Sequence, residues 1–360
     1  YEVYSKNGEK KEKEVKKFDW TQEEGEKEEH DHYMIKEIKE QPKVAKRLLK
    51  TFKTSQKKDL NRFLDLIEDH EKVIFTSAGT SYHASLLGVY YLQKAGVEAQ
   101  ALIASEFQNY ERVDEDTLVI AVSQSGETMD VLEAIEFSKE KGGTIASIVN
   151  VPHSSIQRKS KESLEIHAGQ EVCVAATKTF TNQVLTLTKI AERLGMDSNI
   201  AGISEEIKEV IERNEEEVKE LAKELSDKED IYVLGRGTTY PVSREIALKL
   251  KEIPYIHAEG MMGGELKHGT LALIEEGTPV ISLIPQESDE IISNVKEVEA
   301  RGANSLRISS GSDRFYLPEN PSSFALSSTT IGFLLAYYIA KEKGRPIDKP
   351  RNLAKSVTVK

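Results

Sequence analysis

The chain has 360 residues, with 49 Lys and Arg against 61 Asp and Glu, for a net charge of −12. That length suits two or three domains, and the acidic balance argues against a general nucleic-acid role, which needs a basic footprint for phosphate. The single cysteine, Cys173, rules out an intramolecular disulfide, and its neighbours Val172 and Val174 predict a buried thiol in a reducing, cytoplasmic setting. We expect no apolar run near the roughly 18 residues that span a bilayer, and the first twenty residues lack the apolar core of a signal peptide. Because the chain starts at Tyr1, it is expected to be a piece of a longer protein.

In chain order, residues 1–17 read as a β-hairpin, with Tyr1, Val3, an Asn7-Gly8 turn and Val15. Residues 20–32, Trp20 to His32, read as an acidic loop. Tyr33 to Phe63 reads as helical, with a break at Gln41-Pro42. Strands are predicted at Lys72–Phe75, Thr117–Val122 and Thr144–Val149. The first ends in Ser77-Ala78-Gly79-Thr80-Ser81-Tyr82, the second in Ser123-Gln124-Ser125-Gly126-Glu127-Thr128, and each runs into a helix. A helix over Thr181–Leu194 and a charged helical connector over 203–226 follow. Asp230–Leu234 is a further strand, ending in Gly235-Arg236-Gly237-Thr238-Thr239-Tyr240 and another helix.

Gly79-Thr80-Ser81-Tyr82 and Gly237-Thr238-Thr239-Tyr240 match in type, and Thr117 and Thr278 each open the next strand. The chain therefore reads as a duplicated α/β domain. The expected fold is two tandem three-layer units, flavodoxin-like or Rossmann-like, each a parallel sheet with helices on both faces. The expected boundaries are a linker at 1–32, domains at 33–202 and 227–345 joined by 203–226, and a tail at 346–360. Ligands of such sheets bind beyond the carboxyl ends of the strands, where the Ser/Thr/Gly loops fall.

The run Ser123 to Thr128 brings three hydroxyls and free helix N–H groups together, which suits a phosphate; one helix cap would need only one hydroxyl. Gly235-Arg236-Gly237 lacks the third glycine of a dinucleotide fingerprint. Glu245, Lys249 and Glu252 have spacings that share a helix face, which on a surface would be an ordinary salt-bridge face. The following Met261-Met262-Gly263-Gly264 reads as a flexible loop leading to Lys267-His268-Gly269. Carboxylate, lysine and histidine near one loop suit proton transfer. No Cys/His cluster has metal-ligand spacing, so no metal or other cofactor is expected. In the tail, Lys355 lies between Ala354 and Ser356. A lysine among small and apolar neighbours can lose its proton and attack a carbonyl.

Together these residues resemble the isomerase part of the glutamine:fructose-6-phosphate amidotransferase family, a pair of sugar isomerase (SIS) domains. The resemblance rests on His32-Tyr33-Met34, Lys36-Glu37-Ile38 and Glu40-Gln41-Pro42, Ala78–Tyr82, Ser123–Thr128 and Ala175–Lys178. It extends through Leu248–Ile256, Gly264–Gly269 and Pro350–Val359. It implies fructose 6-phosphate and ammonia as substrates, glucosamine 6-phosphate as product, and amino-sugar synthesis as the setting. It implies a phosphate site on Ser123, Gln124, Ser125 and Thr128 with Thr80 and Ser81 nearby, and further substrate contacts at Val174, Ala176 and Ala354. It assigns the imine to Lys355, the proton shuttle to Glu252 and charge stabilisation to Lys249, with Glu245 orienting that lysine. His268 would assist ring opening from the neighbouring subunit of a homodimer.

The family's glutaminase domain uses an N-terminal cysteine. Residues 1–20 resemble its last strands, and Cys173 is in the wrong place to replace that nucleophile. Two positions depart from the pattern: Ala176 stands where a serine is usual, and Thr270 where a proline follows His-Gly. The alternatives are a sugar-phosphate-binding regulatory module, which would need the Ser123–Thr128 loop but not Glu252, His268 or Lys355, and a deaminase running the reverse reaction.

Overall fold

The strands carry apolar side chains on both faces, and successive residues feed different cores, as expected of parallel sheets covered by helices on each side. The computed structural model describes residues 2–5, 7–11, 25–110, 112–285, 288–310 and 314–356. A small antiparallel hairpin pairs β1 (Val3–Tyr4) with β2 (Lys10–Lys11). Gly8 makes its turn with a φ of 81°. Tyr1, Val15, Trp20 and the tail residues 357–360, on which parts of the sequence reading rest, lie outside the described residues.

Helix α1 (Tyr33–Thr51) runs straight through Pro42, contrary to the expected break. Proline has no N–H to give the carbonyl four residues back. Here the side-chain amide of Gln41 donates to that carbonyl, Ile38 O, at 3.0 Å. The neighbouring glutamine thus replaces the missing bond. After α2 (Lys57–Glu68) come β3 (Lys72–Ser77), α3 (Gly79–Lys94), β4 (Ala99–Ile103), the short α4 (Phe107–Tyr110), β5 (Thr117–Ser123), α5 (Met129–Glu140), β6 (Thr144–Val149), α6 (Ser155–Lys159) and β7 (Glu162–Glu165). These strands form a parallel sheet in the order β4-β3-β5-β6-β7.

Helices α7 (Lys178–Arg193) and α8 (Ile203–Leu225) lead to β8 (Asp230–Gly235), α9 (Thr239–Glu252), β9 (His257–Met262), β10 (Pro279–Ile284), α10 (Asp289–Glu299), β11 (Asn304–Ser309) and α11 (Phe324–Glu342). The second sheet is also parallel, ordered β11-β10-β8-β9. Counted within each unit, both sheets share the order 2-1-3-4, so the topology repeats as the sequence repeat predicts. Met261 and Met262 close strand β9, paired with Leu234 and Gly235, and Gly263–His268 is a 3-10 turn. The expected flexible loop is therefore a sheet edge: parallel bonds to β8 satisfy its backbone.

Val73 and Phe75 of β3, Leu118 and Ile120 of β5, and Ile231 and Val233 of β8 join one large core with α1, α7, α8 and α11. The intervening Ile74, Val119 and Ala121 face a second core under α5, and Tyr232, Leu234 and Val280 a third under α10. Contrary to the hydropathy expectation, Pro321–Glu342 is long and apolar enough to cross a membrane, but its apolar stretch is buried in the protein and only its ends are exposed. Its apolar girth belongs to a core helix surrounded on all sides.

Candidate active site

In the first sheet the chain order reverses between β3 and β5, and in open α/β sheets a crevice opens at that point. A cavity of about 240 Å³ lies there, lined by residues 78–81 after β3, 122–125 and Thr128 after β5, Val174 and Ala176, Glu252 of α9, and Leu353 to Ser356 of the tail. Every substrate-binding residue expected from the sequence lines it: Thr80, Ser81, Ser123, Gln124, Ser125, Thr128, Val174, Ala176 and Ala354. Glu252 and Lys355 line it as well.

The loop after β5 is tightly organised. Gly126 N–H donates to Ser123 Oγ at 3.0 Å, Glu127 N–H donates to Ser125 Oγ at 3.2 Å, and Ser123 Oγ lies 3.2 Å from Thr128 Oγ1. Thr128 stands at the N-terminal boundary of α5 without a side-chain capping bond, and the helix's first-turn N–H groups and dipole favour an anion. Gly126 has a φ of 65°, and a Cβ there would sit 2.0 Å from Ser154 Oγ. Only glycine fits this loop.

Lys249 and Glu245 lie beneath the cavity rather than in it. Both side chains are fully buried, 3.3 Å apart, while Glu252 is partly exposed. The helical spacing thus marks a buried charge cluster and not a solvated face. Lys249 donates to Glu252 and, at 3.0 Å, to Thr80 Oγ1. Thr80 donates in turn to Glu245 Oε1 at 3.0 Å, and Glu245 Oε2 pairs with His83 Nδ1 at 2.7 Å. The Thr80 hydroxyl proton is therefore engaged by Glu245, while the residue lines the cavity near the phosphate loop. Burial opposes the charge on Lys249, but Glu245 and Glu252 outweigh it and raise its pKa above the usual lysine range. It stays an ammonium.

The tail is pinned by both units. Asp348 accepts the N–H groups of Tyr33 and Met34 at the start of α1, at 3.0 Å each, and its own carbonyl accepts Val174 N–H at 3.1 Å. Arg351 N–H donates to Tyr255 Oη at 2.7 Å. Ser356 Oγ donates to Ser125 Oγ at 3.1 Å, and Lys355 Nζ pairs with Glu171 Oε2.

Glu171, the partner of Lys355, is a residue that sequence reasoning missed. It is fully buried and also accepts Thr177 N–H at 2.9 Å, Thr179 N–H at 3.1 Å and Thr179 Oγ1 at 2.8 Å, at the start of α7. Burial opposes its ionisation, yet Lys355 and these donors prevail and hold its pKa below the usual carboxylate value. Glu37, beside it, accepts Val172 and Cys173 N–H on one oxygen while the other has no partner. Burial and the charge of Glu171 push Glu37 up to about 8. Its place in the matched Lys36-Glu37-Ile38 stretch was the only sequence signal for this cluster. Cys173 is buried as expected, and burial raises its pKa well above the usual thiol value; such a thiol is a poor nucleophile.

His268 does not line the cavity of this chain. It ends the 3-10 turn Gly263–His268 and is exposed. Thr270, in place of the family's proline, opens a second 3-10 turn, Thr270–Leu273. No group of three or more His, Cys, Asp or Glu among the described residues has the arrangement of a metal site.

The SIS domain family matches residues 66–193 and 224–317. The chain is 40% identical to the isomerising glutamine–fructose-6-phosphate aminotransferase of Pyrococcus horikoshii, over 97% of this chain and 61% of that one. It thus spans about three fifths of the length of the curated relatives it matches. Among solved structures, it is similar to the C-terminal domain of glucosamine-fructose-6-phosphate aminotransferase from Francisella tularensis. That similarity has a TM-score of 0.79 and 34% identity, covering 90% of this chain and all of that one. It is also similar to a glucosamine-6-phosphate deaminase from Thermotoga maritima, at TM-score 0.76 and 26% identity, covering 91% and 99% of the two chains.

Proposed function

The chain belongs to the SIS-domain family, with the C-terminal parts of the glutamine–fructose-6-phosphate aminotransferases, and on that premise we propose that it isomerises fructose 6-phosphate and, given ammonia, makes glucosamine 6-phosphate. One observation carries the reading: Glu252 and Lys355 line the same cavity as the hydroxyl-rich loop Ser123–Thr128. An aldose–ketose shift of a sugar phosphate needs an anchor for the phosphate and one base over two adjacent carbons, and the transfer of ammonia to C2 adds the need for an amine that forms an imine there.

The substrate phosphate would rest on Ser123, Gln124, Ser125 and Thr128 at the start of α5, where N–H groups and hydroxyls stand in for a cation. Lys355, as a free amine, adds to C2 of the open sugar, and water leaves to give the imine. Ammonia then displaces the lysine. Glu252 removes a proton from C1 and returns it to C2, while the C1 hydroxyl proton passes to the imine nitrogen, leaving an aldehyde at C1 and an amine at C2. Lys249, held as an ammonium beside Glu252, stabilises the charge that develops on the C1 oxygen. Glu245 fixes Lys249 in place. Glu171 pairs with Lys355 at rest, so the nucleophile is released only when that pair opens. His268 would serve a neighbouring subunit in a homodimer, assisting ring opening there. The proposed setting is amino-sugar synthesis in the cytoplasm, with ammonia normally drawn from a glutaminase domain.

The test is product analysis after mixing the chain with fructose 6-phosphate, alone and with ammonium. Glucose 6-phosphate in the first case, or glucosamine 6-phosphate in the second, is the expected outcome. Tight binding with no conversion under either condition would instead assign the chain to the sugar-phosphate-binding regulatory modules.

A further inference from the structure

Tyr255 has a φ of 60°, a left-handed backbone that bulky residues rarely adopt. It lies just beyond the end of α9, three residues after Glu252. The reversal lets Ile256 N–H reach back to Leu250 O at 3.0 Å, a helix ending that glycine or asparagine serves with less strain. What the tyrosine side chain holds accounts for its presence. Its hydroxyl accepts the N–H of Arg351 at 2.7 Å. The Arg351 guanidinium lies 4.5 Å from the ring centroid and that of Arg345 5.4 Å from it. Both arginines flank the start of the tail. Asn352, the next residue, is itself left-handed at a φ of 61°, so the chain turns directly after the contact and delivers Leu353, Ala354 and Lys355 into the cavity. A separate space of about 290 Å³ lies between the tail and the end of α9, and Tyr255 bridges it.

We propose that Tyr255 is a positioning residue that anchors the tail to the end of the helix carrying Glu252, so that one side chain sets the spacing between Glu252 and Lys355. The inference deepens the imine reading above and rests on it for its catalytic consequence. The anchoring itself does not depend on that reading.

Glycine suits a positive φ better than tyrosine does, so a tyrosine kept only for local structure predicts one result and an anchor predicts another. In the Tyr255→Gly chain, the melting temperature is expected to stay within about 3 °C, because backbone relief offsets the lost ring contacts. Turnover of fructose 6-phosphate is expected to fall by more than about tenfold with KM changed less than about twofold, because the phosphate loop is untouched. Tyr255→Phe, which removes one hydrogen bond, is expected to lose about three- to tenfold in turnover. Hydrogen exchange across residues 351–356, measured without sugar, is expected to quicken in Tyr255→Gly. Unchanged exchange overturns the proposal, and so does unchanged turnover in an active parent chain. Faster exchange in a variant whose parent converts no sugar supports the anchor and sinks the isomerase reading instead.

Discussion

Lys355 Nζ lies 2.5 Å from Oε2 of Glu171, a carboxylate with no exposed side-chain surface. The tail lysine is thus seated on a buried anion that three groups at the start of α7 also hold in place. Glu171→Gln keeps the size and one acceptor oxygen but removes the charge. Turnover is expected to drop at least about tenfold while sugar-phosphate affinity stays close to the parent, since Lys355 loses its seat and the phosphate loop does not change. Steady-state kinetics with separate kcat and KM decide it; an affinity loss without a kcat loss would count against the seat.

Lys355→Ala is expected to abolish turnover and leave sugar-phosphate binding largely intact. Calorimetric titration with fructose 6-phosphate beside an activity assay checks both halves. Unchanged turnover sinks the imine.

Glu252→Gln is expected to slow isomerisation by about 100-fold or more, the usual scale of a general base, while borohydride still traps the Lys355 imine. Loss of trapping together with loss of turnover would place Glu252 in imine formation instead of proton transfer.

Glu37 has its folded pKa raised to about 8, by burial first and then by Glu171. A carboxyl raised in this way binds its proton more tightly folded than unfolded. Its contribution is complete below the unfolded value of 4.5 and is lost as pH rises through about 8. The parent chain should therefore lose melting temperature progressively from about pH 4.5 to 8 and level off above, and Glu37→Gln should show a flatter profile over that window. Parallel profiles for the two chains would refute the assignment.

Gln41→Ala leaves the Ile38 carbonyl without a donor inside a helix that proline already weakens, and removes the acceptor of Thr181 Oγ1. A loss of about 1–3 kcal/mol is expected, read as a shift of the urea midpoint with an unchanged slope. A shift below about 0.5 kcal/mol would mean that α1 does not need this substitute bond.

Local sequence determined a good deal here. The strands at 72, 117, 144 and 230, the repeat, the hydroxyl loop after β5 and the Glu245-Lys249-Glu252 face were all readable, because each depends on spacing within one element. Resemblance added the role of Lys355 and the contacts at Val174, Ala176 and Ala354. The edge strands β4, β7, β9 and β11 were not readable, since their mixed burial leaves no apolar run and only pairing with a neighbour makes them strands. The break expected at Pro42 failed because a side chain supplied what the backbone lacked.

Only the tertiary structure decided which charges are buried and what they face. Glu171 meets Lys355 across 184 positions, Glu245 meets His83 across 162, and Arg351 meets Tyr255 across 96. No periodicity reaches that far. An ionised group out of water must be matched by an opposite charge or by hydrogen-bond donors and acceptors, and those matches come from whichever elements the two sheets and the helices between them bring together. The residue types capable of the chemistry were set by the sequence, while the packing of α7, α9 and the tail against one another determined which of them are held in place and how.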